Sequence, residues 1–338
     1  MGAKRIFRDK DIKKEFNVKF PSSLSLELDD DRKMITLNME SADAAYANMQ
    51  ENKAAFEGWL LLLKYGPKFK NISHYKYTLN WENPKCMDKT DKCHYQRFLY
   101  RVYKFSNIFE WFTIDKKLLG DSKIHWVAEK DIKSNRYIMN VADKDRPKNN
   151  KNDSENSFIL SEHDLEVLFV WKYSEYIKEI TGSDYMSRQW PVGLFLNKKE
   201  DTENASIFTG KHSAIDIWGI SKDRKTINII ELKKYKNETM GILSELFFYT
   251  MVVKDLLTGE FIFVDQKKYI NDVNIVKNAL NEIECINAFT LTTKLHPEIL
   301  KEIFDSVNKN EKIKKMNIHF ESINYNEYFK CSKTWIAT

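Results

Sequence analysis

Apolar and polar positions follow two different rhythms along this 338-residue chain. In the first part Leu24, Leu26 and Leu28 alternate with polar residues, residues 29–33 are all polar, and Ile35, Leu37 and Met39 resume the alternation. A period of two interrupted by a polar turn predicts a β-hairpin over 24–39. Phe56, Trp59, Leu60 and Leu63 instead recur at helical spacing. They predict a helix that starts after Ser41, a capping residue, and runs to Tyr65, where Gly66-Pro67 stops it. Tyr75, Tyr77, Leu79 and Trp81 make one face of a strand. Residues 96–105 and 107–114, dense in aromatic side chains, read as further strands, and 124–141 as one more. The pattern predicts an α+β domain on a largely antiparallel sheet.

Residues 143–157 contain no large apolar side chain. Such a stretch has nothing to bury, so it is expected to be a linker between a domain at 1–142 and another at 158–338. Beyond it the rhythm changes. Ser161 can cap a helix over 162–180, with Leu165, Leu168, Phe169, Tyr173, Tyr176 and Ile177 facing inward and Gly182 just past its end. Strands are expected at 192–196, 205–209, 213–220 and 226–232. Helices at 239–257, 271–282 and 296–308 then alternate with strands at 261–264, 286–292 and 316–322. This order predicts an α/β domain with a mixed sheet flanked by helices.

Composition narrows the class only slightly. The chain is 42% apolar and 30% charged, with 54 basic against 49 acidic residues and a net charge of +5, which is compatible with a polyanionic partner. Four scattered cysteines give no disulfide framework. The spacing of Cys86, Cys93 and His94, with His74 upstream, is not that of a zinc site. No apolar core of a signal peptide follows Met1, and no apolar run reaches membrane-spanning length, so a cytoplasmic protein with no membrane partner is expected.

The candidate chemistry lies in one hairpin. Ser213–Ile220 and Thr226–Lys234 are apolar segments joined by the polar turn 221–225, yet they carry Asp216, Glu231 and Lys233. Alternation on a strand puts Glu231 and Lys233 on one face and Leu232 on the other. Two carboxylates and a backbone carbonyl suffice for Mg²⁺, which prefers hard oxygen ligands and keeps several waters. Such an ion activates water and neutralises a phosphodiester, and a nearby lysine orients the attacking water. On this reading Asp216, Glu231 and the Leu232 carbonyl hold the metal, with Lys233 beside the water.

The arrangement Asp216, fourteen intervening residues, then Glu231-Leu-Lys233, resembles the PD-(D/E)xK nuclease superfamily over residues 160–325. Gly210 before the first strand and the helix opening at 239–249 extend the likeness, whereas Ile215 stands where the family often has proline. The resemblance implies a restriction-endonuclease-like fold, Mg²⁺ replaceable by Mn²⁺, and an acidic residue on the preceding helix that joins the metal site. Glu162 is preferred for that role over Glu166. It further implies an endonuclease acting on DNA in prokaryotic restriction or anti-phage defence. A homo-oligomer or a defence-system partner is within that expectation, and the first domain would serve recognition or dimerisation. The alternatives are a non-cleaving nucleic-acid-binding or scaffold protein on the same fold, and an RNA-directed nuclease. His163, His212, Arg188, Lys234 and Lys236 lie near the same elements as secondary candidates.

Overall fold

The computed structural model describes residues 4–124, 137–140, 160–196, 206–209, 213–235, 237–263 and 272–326. The expected linker, most of the strand expected at 124–141, and Gly210, His212 and Lys236 lie outside them. The chain forms two compact units that alternate along the sequence. The first comprises Met1–Trp126, Thr239–Glu245 and Leu295–Ile313; the second comprises Val127–Glu238, Leu246–Lys294 and Lys314–Thr338. A single cut at 143–157 therefore does not describe the division, because two later segments belong with the N-terminal unit.

In the first unit, strand β1 (Arg5–Phe7) and helix α1 (Asp9–Phe16) precede the expected hairpin, β2 (Leu24–Asp29) and β3 (Met34–Met39). Register pairs Leu24 with Met39 and Leu28 with Ile35, so one alternating apolar set faces the core. Helix α2 (Phe56–Tyr65) is shorter than expected. Residues between Ser41 and Ala55 form turns and a short 3₁₀ segment, in which Asp43 accepts hydrogen bonds from Ser41 and Lys53 side chains. Such side-chain bonds to a short polar residue compete with helix formation. Strand β4 (Lys76–Trp81) buries Tyr77, Leu79 and Trp81 as expected.

Residues 89–108 correct the sequence reading. They form one twenty-residue helix, α3 (Lys89–Ile108), started by Asp88, whose side chain accepts the Asp91 N–H at 2.8 Å. Tyr95, Phe98, Leu99, Val102 and Phe105 are buried along it at three- and four-residue spacing. The high strand propensity of aromatic residues masked that period. Only β5 (Phe112–Thr113) remains extended. The five-stranded sheet has the order β1-β2-β3-β4-β5, with β3–β4 and β4–β5 parallel, so it is mixed and not largely antiparallel.

The second unit contains β6 (Tyr137–Met139), α4 (Glu162–Val167), a π-helical turn at Leu168–Lys172 and α5 (Ser174–Thr181). The expected 162–180 helix is thus interrupted. Ser161 does cap it, exchanging hydrogen bonds with Asp164, and Gly182 ends it in the left-handed conformation at φ 69°. Next comes β7 (Ser183–Pro191), a nine-residue strand that the sequence reading did not predict. Short strands β8 (Leu194–Phe195) and β9 (Ser206–Phe208) precede the predicted pair β10 (Ala214–Ser221) and β11 (Thr226–Leu232). Gly219 on β10 has no room for a side chain, since a Cβ there would fall 2.4 Å from Ser183 Oγ.

Helix α6 (Gly241–Leu257), strand β12 (Phe261–Phe263), helix α7 (Val273–Ala279) and strand β13 (Cys285–Thr292) follow. The chain returns to the first unit for α8 (Lys301–Lys309), passes through α9 (Glu311–Lys315) and ends its described part with β14 (Ile318–Asn324) in the second. The main sheet of the second unit has the order β14-β13-β11-β10-β7. Its β10 runs antiparallel to both neighbours, β7 and β11, and β11, β13 and β14 are parallel. The protein is mixed α/β, as the later half of the sequence predicts. Leu165, Phe169 and Ile177 from the interrupted helix pack with Ile217, Ile230, Leu232, Phe289 and Leu291. That core fixes one face of the sheet and turns the intervening side chains to the other.

Candidate functional site

Leu232 is fully buried, so its neighbours Glu231 and Lys233 are fixed on the opposite face, as strand alternation requires. Both are almost completely buried, at 1% exposure each, and Lys233 Nζ donates to Glu231 Oε1 at 2.7 Å. Removing two ions from water costs several kcal/mol per ion, roughly what their attraction returns, so a buried pair of this kind is weak evidence for stability. Its presence at a strand end asks for another explanation.

Asp216 sits where the two strands separate. Ladder pairing between β10 and β11 runs from Ile220↔Ile227 to Ile217↔Ile230. The next step in that register would place Asp216 opposite Glu231. There, Asp216 Oδ2 accepts the Leu232 N–H at 2.9 Å, a side chain replacing a strand carbonyl. The N–H and C=O of one strand residue point to the same edge. The Leu232 carbonyl is thus on the β10 side, whereas Lys233 N–H donates to Leu291 on β13.

The acidic residue beside Asp216 is Glu166, four positions after Glu162 and so on the same side of α4. Glu166 is 3% exposed. Its Oε2 accepts from Arg188 at 2.9 Å and its Oε1 from Gln189 at 2.8 Å. Burial, and secondarily the negative charge of Asp216, push its carboxyl up to about 8, against the lowering effect of Gln189 and Arg188. Glu162 lies further out. Its Oε1 accepts from Asn237 Nδ2 at 3.1 Å and from the Lys234 N–H at 3.5 Å, beyond the end of β11. The structure thus brings Asp216, Glu231, Lys233 and Glu166 to one strand end and leaves Glu162 at its rim.

Gln189 is the member that sequence reading did not place, and Arg188 was only a secondary candidate, because β7 itself was missed. Their signal is a polar pair next to Trp190 in a nine-residue extended segment. Arg188 also contacts His163, with Nη1 at 3.1 Å from Nδ1, and lies over the ring of Trp171 on the π-helical turn. On the far side Tyr325 donates its hydroxyl to the Lys233 carbonyl at 3.2 Å, and burial pushes that phenol up to about 12.

The carboxylates of Asp216 and Glu231 and the Leu232 carbonyl are hard oxygens of the type Mg²⁺ selects. Among the described residues no three His, Cys, Asp or Glu side chains stand close enough together to form a metal cage. The set fits an ion that takes two protein carboxylates and keeps its waters, as Mg²⁺ does. Cys86 is exposed and Cys93 buried, both as free thiols. Among the described residues no helix is long and apolar enough to cross a membrane. In comparisons with known proteins, no family model, no curated protein and no solved structure matches this chain.

Proposed function

We propose that this protein is a metal-dependent endonuclease that hydrolyses phosphodiester bonds in DNA, and that its second unit is a restriction-endonuclease-like domain of the PD-(D/E)xK type. The observation that carries the reading is the buried Glu231–Lys233 pair beside Asp216, at the point where β10 and β11 separate. Helix, antiparallel strands, helix and parallel strand follow in the order the resemblance implies, which supports the same reading.

In this account Asp216, Glu231 and the Leu232 carbonyl hold Mg²⁺, with Mn²⁺ able to replace it. Bound there, the ion would neutralise the phosphate and activate water. Lys233, paired with a carboxylate at 2.7 Å, acts as an ammonium: it orients the attacking water by donating to it and offsets charge on the phosphate. Glu166, held by Arg188 and Gln189, stands beside Asp216 as the acidic residue of the preceding helix, the position first expected of Glu162. Restriction or anti-phage defence is the setting proposed for this activity.

The absence of a three-residue cage among the described residues favours a second reading, a non-cleaving nucleic-acid-binding protein on the same fold. A cleavage assay separates the two. Supercoiled plasmid, linear DNA and RNA are incubated with and without Mg²⁺ or Mn²⁺, using the wild type and Lys233→Ala. Metal-dependent cutting of DNA that the variant loses supports the endonuclease; preferred cutting of RNA would redirect the substrate. Cutting undiminished in Lys233→Ala, or none with any substrate, overturns it.

A further inference from the structure

The register of the main sheet places one polar side chain from each of four adjacent strands at a single level. One further step of the β10–β11 register puts Asp216 opposite Glu231, Glu231 pairs with Thr290 on β13, and Thr290 with Ser322 on β14. Paired residues on neighbouring strands point to the same face and stand roughly 5 Å apart. The row therefore continues the candidate site sideways, beyond the carboxylates.

Thr290 is the informative member. It is fully buried, and its hydroxyl is a buried polar atom with no hydrogen-bond partner among the described residues. Leaving a hydroxyl so costs more than replacing it with a methyl group. An apolar β-branched residue would fill the same strand position with equal propensity. The neighbouring strand positions in line with it carry Glu231 on one side and Ser322 on the other. A buried water satisfies such groups when two or more polar partners surround it.

We infer that Thr290 is a positioning residue of the candidate site, whose hydroxyl holds a water molecule against the Glu231 carboxylate. The water fixes the carboxylate so that Glu231 meets Lys233 in one geometry. Lys233 gains a defined neighbour on β13, since Leu291 accepts its N–H and Thr292 continues the polar side of that strand. The inference rests on the geometry of the sheet, and its role in cleavage rests on the endonuclease reading.

The test compares Thr290→Val, which keeps the shape and removes the hydroxyl, with Thr290→Ser, which keeps the hydroxyl. Thermal unfolding of the metal-free full chain is measured for each, alone and combined with Glu231→Gln. The expected result is a midpoint lowered by ~2–4 °C in Thr290→Val and little changed in Thr290→Ser. In the Glu231→Gln background the valine effect should shrink, because the water has already lost its charged partner. A midpoint unchanged or raised by valine marks an idle hydroxyl and overturns the inference, as does a valine effect of the same size with and without Glu231. Adding Mn²⁺ calorimetry keeps the two claims distinguishable. Wild-type protein that binds no Mn²⁺ while the coupling persists removes the endonuclease reading and leaves the water in place. Weaker Mn²⁺ binding in the valine variant, by about threefold or more and rescued by serine, joins the two.

Discussion

Among the described residues, Glu57–Arg101 in the first unit and Glu231–Lys233 in the second are fully buried ion pairs, and the two are built differently. In the first unit Arg101 grips Glu57 with two nitrogens, Nε donating to Oε1 at 2.7 Å and Nη2 to Oε2. The same guanidinium donates to the Ala54 carbonyl at 2.8 Å and lies over the Phe56 ring, while Ser244 donates to Glu57 Oε2 at 2.7 Å. A planar fork with its donors directed at fixed acceptors suits permanent structure. In the second unit the cation is a lysine, a compact charge on a flexible stem, meeting one carboxylate oxygen two residues away on the same strand. Around it stand Asp216, which replaces a ladder bond, and Glu166, whose carboxyl is pushed up to about 8. One pair locks a helix to its surroundings; the other gathers ionisable groups at a strand end.

The comparison is sharpest when one partner of each pair is removed. Arg101→Met leaves Glu57 buried without its counter-charge and should cost about 3–5 kcal/mol in urea unfolding, with no recovery on adding Mg²⁺ or Mn²⁺. Lys233→Met should lower metal-dependent cleavage by about 10²–10³-fold, a loss of one preorganised donor. Its loss of stability should be partly restored by Mn²⁺, since a cation can stand in for the ammonium. Equal responses of both variants to metal would erase the distinction between the pairs.

A smaller effect concerns pH. The Glu166 carboxyl is raised from its ordinary 4.5 to about 8 in the folded chain. Between those values the folded protein holds a proton that the unfolded chain has released. The stability this group contributes is therefore full below about 4.5 and is lost as pH rises through about 8. Glu166→Gln should flatten that decline, seen as a weaker pH dependence of the urea midpoint between pH 5 and 8. The smallest change is expected for Glu162→Gln, at the rim, which should alter stability by no more than ~0.5 kcal/mol and cleavage far less than Glu166→Gln does.

What the sequence made legible follows from the same physics. The hairpin of β10 and β11 was readable because its apolar residues alternate and its charged residues break the alternation at one end. Asp216, Glu231 and Lys233 stood out as candidates for that reason. The choice between Glu162 and Glu166 was not readable, since both lie on the same side of one helix and only packing decides which faces Asp216. Gln189 was hidden, and Arg188 stayed a secondary candidate, because no strand was expected over 183–191. Helix α3 was hidden by aromatic residues whose strand preference outweighed their helical spacing. Thr290 gave no signal at all, because register between strands sixty residues apart is set by the fold.

The central claim is that the second buried pair belongs to a cation-binding site and the first does not. Mn²⁺ titration calorimetry on the wild type, Asp216→Asn and Arg101→Lys tests it most directly. The account predicts binding to the wild type, binding lost in Asp216→Asn, and binding retained in whatever fraction of Arg101→Lys is folded. No binding to the wild type, or equal binding to the wild type and Asp216→Asn, would contradict it.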